Sequence, residues 1–211
     1  GGGRGARGRK KPAAKSRAEE EEEAARQAGL ARSAVIFAGT CKRCQEVCEI
    51  LNELGATCVA LHSATTQNRR LAALGKFKSQ QVRILVSTDV GSRGLDIPEV
   101  DLVVNLDLPR QAVDYVHRVG RTARAGRAGR AVSLVAQYEV GLVHQIEEYT
   151  GVKLALCGEV EEEAVLGLLN AVARATRVAR LRLIEQGFDE KVEGLLERKK
   201  KSRQQRRTKE G

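Results

Sequence analysis

From Ser33 onward the chain alternates short apolar runs with amphipathic stretches. Ala34–Ala38 reads as an apolar strand. Thr40 is placed to cap the helix that follows, whose apolar face is Cys44, Val47, Cys48, Leu51 and Leu54, with Gly55 positioned to stop it. The same reading predicts strands at Ala56–Leu61, Ile84–Ser87, Val100–Leu106 and Ala131–Ala136, and helices at Gln67–Lys78, Gln111–Arg121 and Tyr138–Tyr149. Short strands alternating with helices predict an α/β protein with a mainly parallel sheet covered on both faces. In such sheets ligands gather at the carboxyl ends of the strands, where Gly39-Thr40, His62-Ser63, Thr88-Asp89 and Leu108-Pro109 fall. After Gly151 the pattern changes to one long helix, roughly Glu161–Gln186, ending in a basic tail. The expected organisation is therefore a disordered Gly/Arg-rich and acidic segment over 1–32, a folded domain over 33–158, a helical extension over 159–197 and a basic tail over 198–211.

Charge refines this division. The 211 residues carry a net charge of +10, but residues 1–32 hold 9 Lys/Arg against 5 acids and residues 198–211 hold 8 against 1. About −1 remains for residues 33–197, so the basicity belongs to the tails. Such tails suit polyanions such as RNA, and equally serve solubility or nuclear import. With 3 Phe, 3 Tyr and no Trp, an aromatic platform for stacking bases is not expected, and any RNA contact should go to the backbone. The chain has no methionine, which predicts a fragment whose upstream part is missing. No apolar run approaches the roughly 18 residues of a membrane helix, so no membrane partner is expected. Five cysteines without an export signal point to reduced thiols.

The stretch Tyr115-Val116-His117-Arg118-Val119-Gly120-Arg121-Thr122-Ala123-Arg124 sets two arginines three residues apart behind a His-Arg pair, at the end of a predicted helix. That spacing can bring two guanidinium forks to one phosphate; a solvated basic helix end is the plain alternative. Upstream, Thr88-Asp89 follows a buried strand, and Gly91 and Gly94 precede Asp96. The glycines allow backbone to approach a ligand closely, Asp96 can accept from ribose hydroxyls and Thr88 can donate to a phosphate; the alternative is a polar loop that merely turns.

Taken together, these blocks resemble the motifs of DEAD-box RNA helicases. Val35-Ile36-Phe37-Ala38-Gly39-Thr40 is similar to motif IV, and His62 followed by Gln67-Asn68-Arg69-Arg70 to the Gln-x-x-Arg motif. Ser87–Asp96 is similar to motif V, Val104-Asn105-Leu106-Asp107-Leu108-Pro109 to motif Va, and His117–Arg124 to motif VI. Their order and spacing match the second RecA-like domain of that family, over roughly residues 33–150. The resemblance implies a RecA-like three-layer fold with a C-terminal helical extension. It implies that Gly94 and Asp96 contact ATP, that Arg121 and Arg124 are arginine fingers across an interdomain cleft, and that His117 and Arg118 couple that cleft to RNA. It also implies that Gln67, Arg70 and Thr88 hold the RNA sugar-phosphate backbone. Ser92 stands where the family more usually has Ala.

No Gly-x-x-x-x-Gly-Lys-Ser/Thr and no Asp-Glu-Ala-Asp occur, so the first RecA-like domain is absent and Mg²⁺ would be held there. The expected activity is ATP-dependent RNA unwinding or remodelling when the two domains are joined, with this half inactive alone. The region from Val135 to Glu148 and Phe188-Asp189-Glu190-Lys191 resemble the subgroup that processes small-subunit pre-ribosomal RNA, which implies a pre-ribosomal RNA partner, a nucleolar site within the nucleus and room for a protein activator. Two other readings stay open: a stand-alone half-helicase that binds RNA or a partner without turnover, and an interaction protein dominated by its tails. Cys41-Lys42-Arg43-Cys44 lacks the second cysteine pair of a zinc site and reads as core packing and incidental exposure; no metal ligand is expected, His144 included.

Overall fold

The computed structural model describes residues 31–122 and 129–210. The Gly/Arg-rich segment and Arg124 lie outside the described residues. The strands are β1 (Ala34–Phe37), β2 (Cys58–Leu61), β3 (Ile84–Ser87), β4 (Leu102–Asn105) and β5 (Arg130–Ser133). The helices are α1 (Cys41–Glu53), α2 (Gln67–Lys78), α3 (Asp89–Ser92), α4 (Ala112–Val119), α5 (Val140–Thr150), α6 (Glu162–Glu185) and α7 (Phe188–Glu210). All strands pair in parallel in the order β2-β3-β1-β4-β5. Every expected strand and helix of the domain is present, with β4 and β5 shorter than the apolar runs that announce them. The RecA-like α/β expectation is met.

Local chemistry explains the boundaries. Thr40 caps α1, its hydroxyl accepting from the Arg43 N–H at 3.1 Å, and Gly55 follows with a φ of +84° that suits glycine. α2 packs on one face of the sheet, where Leu74 and Phe77 meet Val35, Phe37, Leu61, Leu85 and Val103. α1 covers the other, where Cys44 and Cys48 meet Ala38, Cys58 and Val86. α4 and α5 close a third cluster around Leu108, Tyr115 and Ile146.

The extension departs from expectation. In place of one long helix running into a tail there are two, separated at Gly187 with a φ of +57°. α6 seats Ala175, Ala179 and Leu183 in buried positions, and Arg180 and Arg182 bridge to Glu46 and Glu53 of α1. Phe188 starts α7 as a buried anchor, and the helical backbone continues through the basic run to Glu210. No helix among the described residues is long and apolar enough to cross a membrane.

Candidate nucleotide and RNA-backbone site

The short helix α3 joins the two halves of the site. Thr88 caps it, its hydroxyl oxygen accepting from the Gly91 N–H at 3.1 Å, and is itself buried. Gly91 presses against the end of β2 so closely that a Cβ would stand 2.2 Å from the Leu61 carbonyl oxygen and 2.8 Å from the His62 Cα. Only glycine fits there. The freed carbonyl of Gly91 accepts from Arg70 Nη2 at 2.8 Å, while Arg70 Nη1 donates to Gln67 Oε1 at 2.8 Å. Arg70 Nε is buried with no partner among the described residues. Arg70 and Thr88 thus hold α3 directly and Gln67 reaches it through Arg70, while the Thr88 hydroxyl, whose oxygen accepts from the cap N–H, keeps its own proton to donate.

Arg118 meets α3 from the opposite side. Its Nε and Nη2 each donate to Asp89 at 2.7 Å, and Nη1 donates to Asn105 Oδ1 at 3.1 Å and to the Asp107 carbonyl at 2.7 Å. The guanidinium also lies 5.0 Å from the Phe37 ring centroid. At 2% exposure it is an internal brace holding the loops after β3 and β4 together. Asp107 extends the brace, accepting from the Gly39 N–H at 2.8 Å and forming an ion pair with Arg43, whose Nε lies 2.9 Å away. Asp89, Asn105 and Asp107 escape sequence reasoning as site residues because their partner is remote in the chain and no spacing signals it.

An open cleft of about 240 Å³ adjoins this brace, lined by Ser92, Gly94, His117 and Arg121 among others. Gly94 takes a φ of +74°, the left-handed conformation the loop needs. Arg121 is fixed through its backbone, its carbonyl accepting from Val100 N at 2.9 Å, and its side chain is half-exposed at the cleft. Asp96 is not among the cleft's lining. Its side chain is 88% exposed and pairs with Lys78 at 2.7 Å, and that hydrogen bond, with Arg121 adding slightly, holds its carboxyl below the usual range. Arg93 and Asp114 form a second pair at the mouth at 2.9 Å. Among the described residues no group of three or more His, Cys, Asp or Glu is arranged to hold a metal ion.

His62, at the end of β2, is fully buried. Its Nδ1 accepts from the Ala64 N–H at 3.2 Å, which leaves the proton on Nε2 to donate to Gln45 at 2.9 Å. Phe188 packs its ring edge-on at 5.7 Å. Burial, with Arg70 nearby, pushes the His62 pKa down to about 4. The extension thereby packs on the residue that follows β2, and the Lys42–Asp189 pair at 2.6 Å ties it to the first turn of α1. The cysteines are all free thiols. Cys44 donates to the Val86 carbonyl and burial drives its thiol up to about 12, whereas Cys41 is partly exposed, so the Cys41–Cys44 pair is core packing at one end only. His144 is on the surface.

Residues 22–126 match the family described as the helicase conserved C-terminal domain. The chain is 48% identical over 173 residues to DEAD-box ATP-dependent RNA helicase 36 of Arabidopsis thaliana, covering 81% of this chain and 35% of that protein. The chain spans about a third of the length of the curated relatives it matches. Among solved structures it is similar to the E. coli DEAD-box protein SrmB bound to regulator of ribonuclease activity A, with 36% identity over 63% of this chain and 77% of that one and a TM-score of 0.57. It is also similar to DEAD-box helicase domain 2 of Mss116p bound to an RNA duplex, with 29% identity, 80% and 72% coverage and a TM-score of 0.59.

Proposed function

From the premise that the chain belongs to the DEAD-box helicases, as their conserved C-terminal domain, we propose that it supplies one wall of an ATP site and one side of an RNA groove. In this reading the intact protein is an ATP-dependent RNA helicase. The observation that carries the proposal is the placement of α3. Arg70 and Thr88 hold it through one set of contacts and Arg118 through another, and Arg121, in the turn that follows α4, lines the open cleft with Arg118.

ATP, held with Mg²⁺ largely by a first RecA-like domain, would supply the scissile phosphate bond. On this chain Arg121 brings a cation to the cleft, with Arg124 as its second member, and Gly94 lets backbone come close. Asp96 offers a carboxylate to ribose hydroxyls after exchanging its Lys78 partner. His117 stands at the cleft wall. Gln67 and Arg70 face the RNA backbone, and backbone contact brings little sequence preference. A movement of α3 on RNA binding reaches Arg121 through Asp89 and Arg118, which makes Arg118 a positioning residue. Pre-ribosomal RNA as the substrate and a nucleolar location rest on the subgroup resemblance of Val135–Glu148 and Phe188–Lys191.

The test joins this domain to a compatible first domain. Arg121→Ala should lower RNA-stimulated ATP turnover by about 10³–10⁵ with far less change in ATP affinity, and Arg121→Lys should rescue poorly because one ammonium cannot reproduce the planar fork. Near-normal turnover in Arg121→Ala rejects the finger assignment. Arg70→Ala should instead weaken nucleotide-dependent RNA binding.

A further inference from the structure

Gly187, Phe188 and Asp189 fasten the C-terminal extension to the domain. Gly187 turns the chain out of α6 with a φ of +57°, Phe188 enters the interior at 8% exposure, and Asp189 pairs with Lys42 at 2.6 Å. What Phe188 meets inside is the ring of His62, at right angles and with centroids 5.7 Å apart. His62 is a junction. Its ring is held by Phe188 of α7 and by Gln45 of α1. Its backbone lies against α3, where a Cβ on Gly91 would stand 2.8 Å from the His62 Cα. Forward along the chain it shapes the turn that opens α2. Nδ1 accepts from the Ala64 N–H at 3.2 Å, and the carbonyl accepts from the Thr65 hydroxyl at 2.8 Å and from the Thr65 N–H at 3.3 Å. Thr66 then starts α2 without a side-chain cap, its carbonyl accepting from the Arg70 N–H at 3.0 Å, so the entry of this helix depends on the turn that His62 holds.

We infer that Phe188 is a positioning residue for RNA binding: by clamping the His62 ring it fixes the turn from which α2 presents Gln67 and Arg70 to the RNA backbone. Phe188 acts through Gln67 and Arg70, and its role therefore rests on reading those two as RNA-backbone contacts. A flat ring at right angles to the imidazole limits its tilt, and the imidazole must keep its plane for Nδ1 and Nε2 to reach Ala64 and Gln45 at once. Burial and, after it, the charge of Arg70 push the imidazole pKa down, which places guanidinium and ring in one neighbourhood. Arg70 commits Nη1 to Gln67 and Nη2 to the Gly91 carbonyl, while its buried Nε has no partner among the described residues. Packing around the guanidinium therefore sets its place as much as hydrogen bonds do. A slack turn lets Gln67 and Arg70 lose their fixed spacing and weakens the grip on RNA. Neither His62 nor Phe188 lines the cleft beside Arg121, so the nucleotide side is left alone. The extension is then a working part of the RNA groove.

The test uses the domain joined to a compatible first domain, with single-stranded oligouridylate as the probe, below the unfolding midpoint of every variant. Phe188→Ala should raise the KM for RNA about tenfold, while kcat at saturating RNA and the KM for ATP each change by less than about twofold. Phe188→Leu keeps the core filled without the flat ring; it should shift the KM for RNA the same way by about threefold, and it replaces the alanine variant if that one does not fold. Ala179→Gly loosens α6 on α1 and should lower the unfolding midpoint with the KM for RNA unchanged. A double-mutant cycle decides: in an Arg70→Ala background, substitution of Phe188 should add less than about twofold, because the contact it positions is gone. Full additivity overturns the inference. So does a KM for RNA that neither substitution at Phe188 raises, or one that Ala179→Gly raises equally. If Arg70→Ala alone leaves RNA binding normal, the groove reading itself fails and takes the role of Phe188 with it.

Discussion

The polar contacts of α3 and the loops that flank it fall into two regions of opposite character. Beneath the loops, His62, Ser87, Thr88, Asn105 and Arg118 are buried and hydrogen-bonded to backbone or to one another. At the rim, Lys78–Asp96 and Arg93–Asp114 are pairs in which at least one side chain is well exposed. The inner set holds loop shape and leaves few donors for a ligand. The outer set is exchangeable, since water or a ligand group can replace either partner at small expense. Recognition chemistry therefore belongs to the rim and the half-exposed Arg121, while the inner ring sets where they stand.

The strongest way to break this contrast is Arg118→Ala. It leaves Asp89 without its bidentate partner and should destabilise the domain by about 3–5 kcal/mol in chemical denaturation. A loss below about 1 kcal/mol would place Arg118 with the exchangeable pairs. Next comes His62. Its pKa is about 4 when folded against a reference of 6.5, so the unfolded chain takes up a proton first as pH falls. Stability should be complete above about pH 6.5 and decline toward pH 4 by at most about 3 kcal/mol, and His62→Gln should flatten that part of the profile. Gly91→Ala forces a methyl against the Leu61 carbonyl and should cost about 1–3 kcal/mol, with RNA binding falling as α3 shifts; an unchanged unfolding midpoint would show that α3 is loosely held. Smallest of all is Lys78→Ala. It should leave the unfolding midpoint where it is and return the Asp96 carboxyl toward its ordinary range, readable by NMR titration of the side chain.

Periodicity carried most of the fold. Apolar runs and caps announced each strand and helix of the domain because burial on two faces leaves a plain pattern. β4 and β5 end earlier than their apolar runs because Leu106, Leu134 and Val135 pack or turn beyond the ladder. α7 was hidden, since a helix with charge on every side has no apolar period to detect, and Phe188 alone signals its start. In the site, the glycines and the Gln67–Arg70 segment were readable because their chemistry is local. The partners of Arg118 were not: Phe37 of β1, Asp89 of α3, Asn105 of β4 and the Asp107 carbonyl close it in, and their proximity arises only when the sheet forms. The Lys78–Asp96 pair was missed for the same reason.

The strand order also governs when the domain can take shape during synthesis. β1 emerges first but sits at the centre, and both of its neighbours, β3 and β4, are made much later. β2 pairs only with β3 and has no place to dock until that strand arrives. The nascent chain must therefore hold two apolar strands and α1 unpaired while the ribosome adds the next segment, a long-range closure that favours slow folding and exposes sticky edges. The helix α6, which covers α1, comes after every strand of the sheet. Until it is made, α1 is covered only on the face it turns to the sheet, where Cys44 and Cys48 sit, and its outer side with Glu46 and Glu53 waits for a segment that follows all five strands.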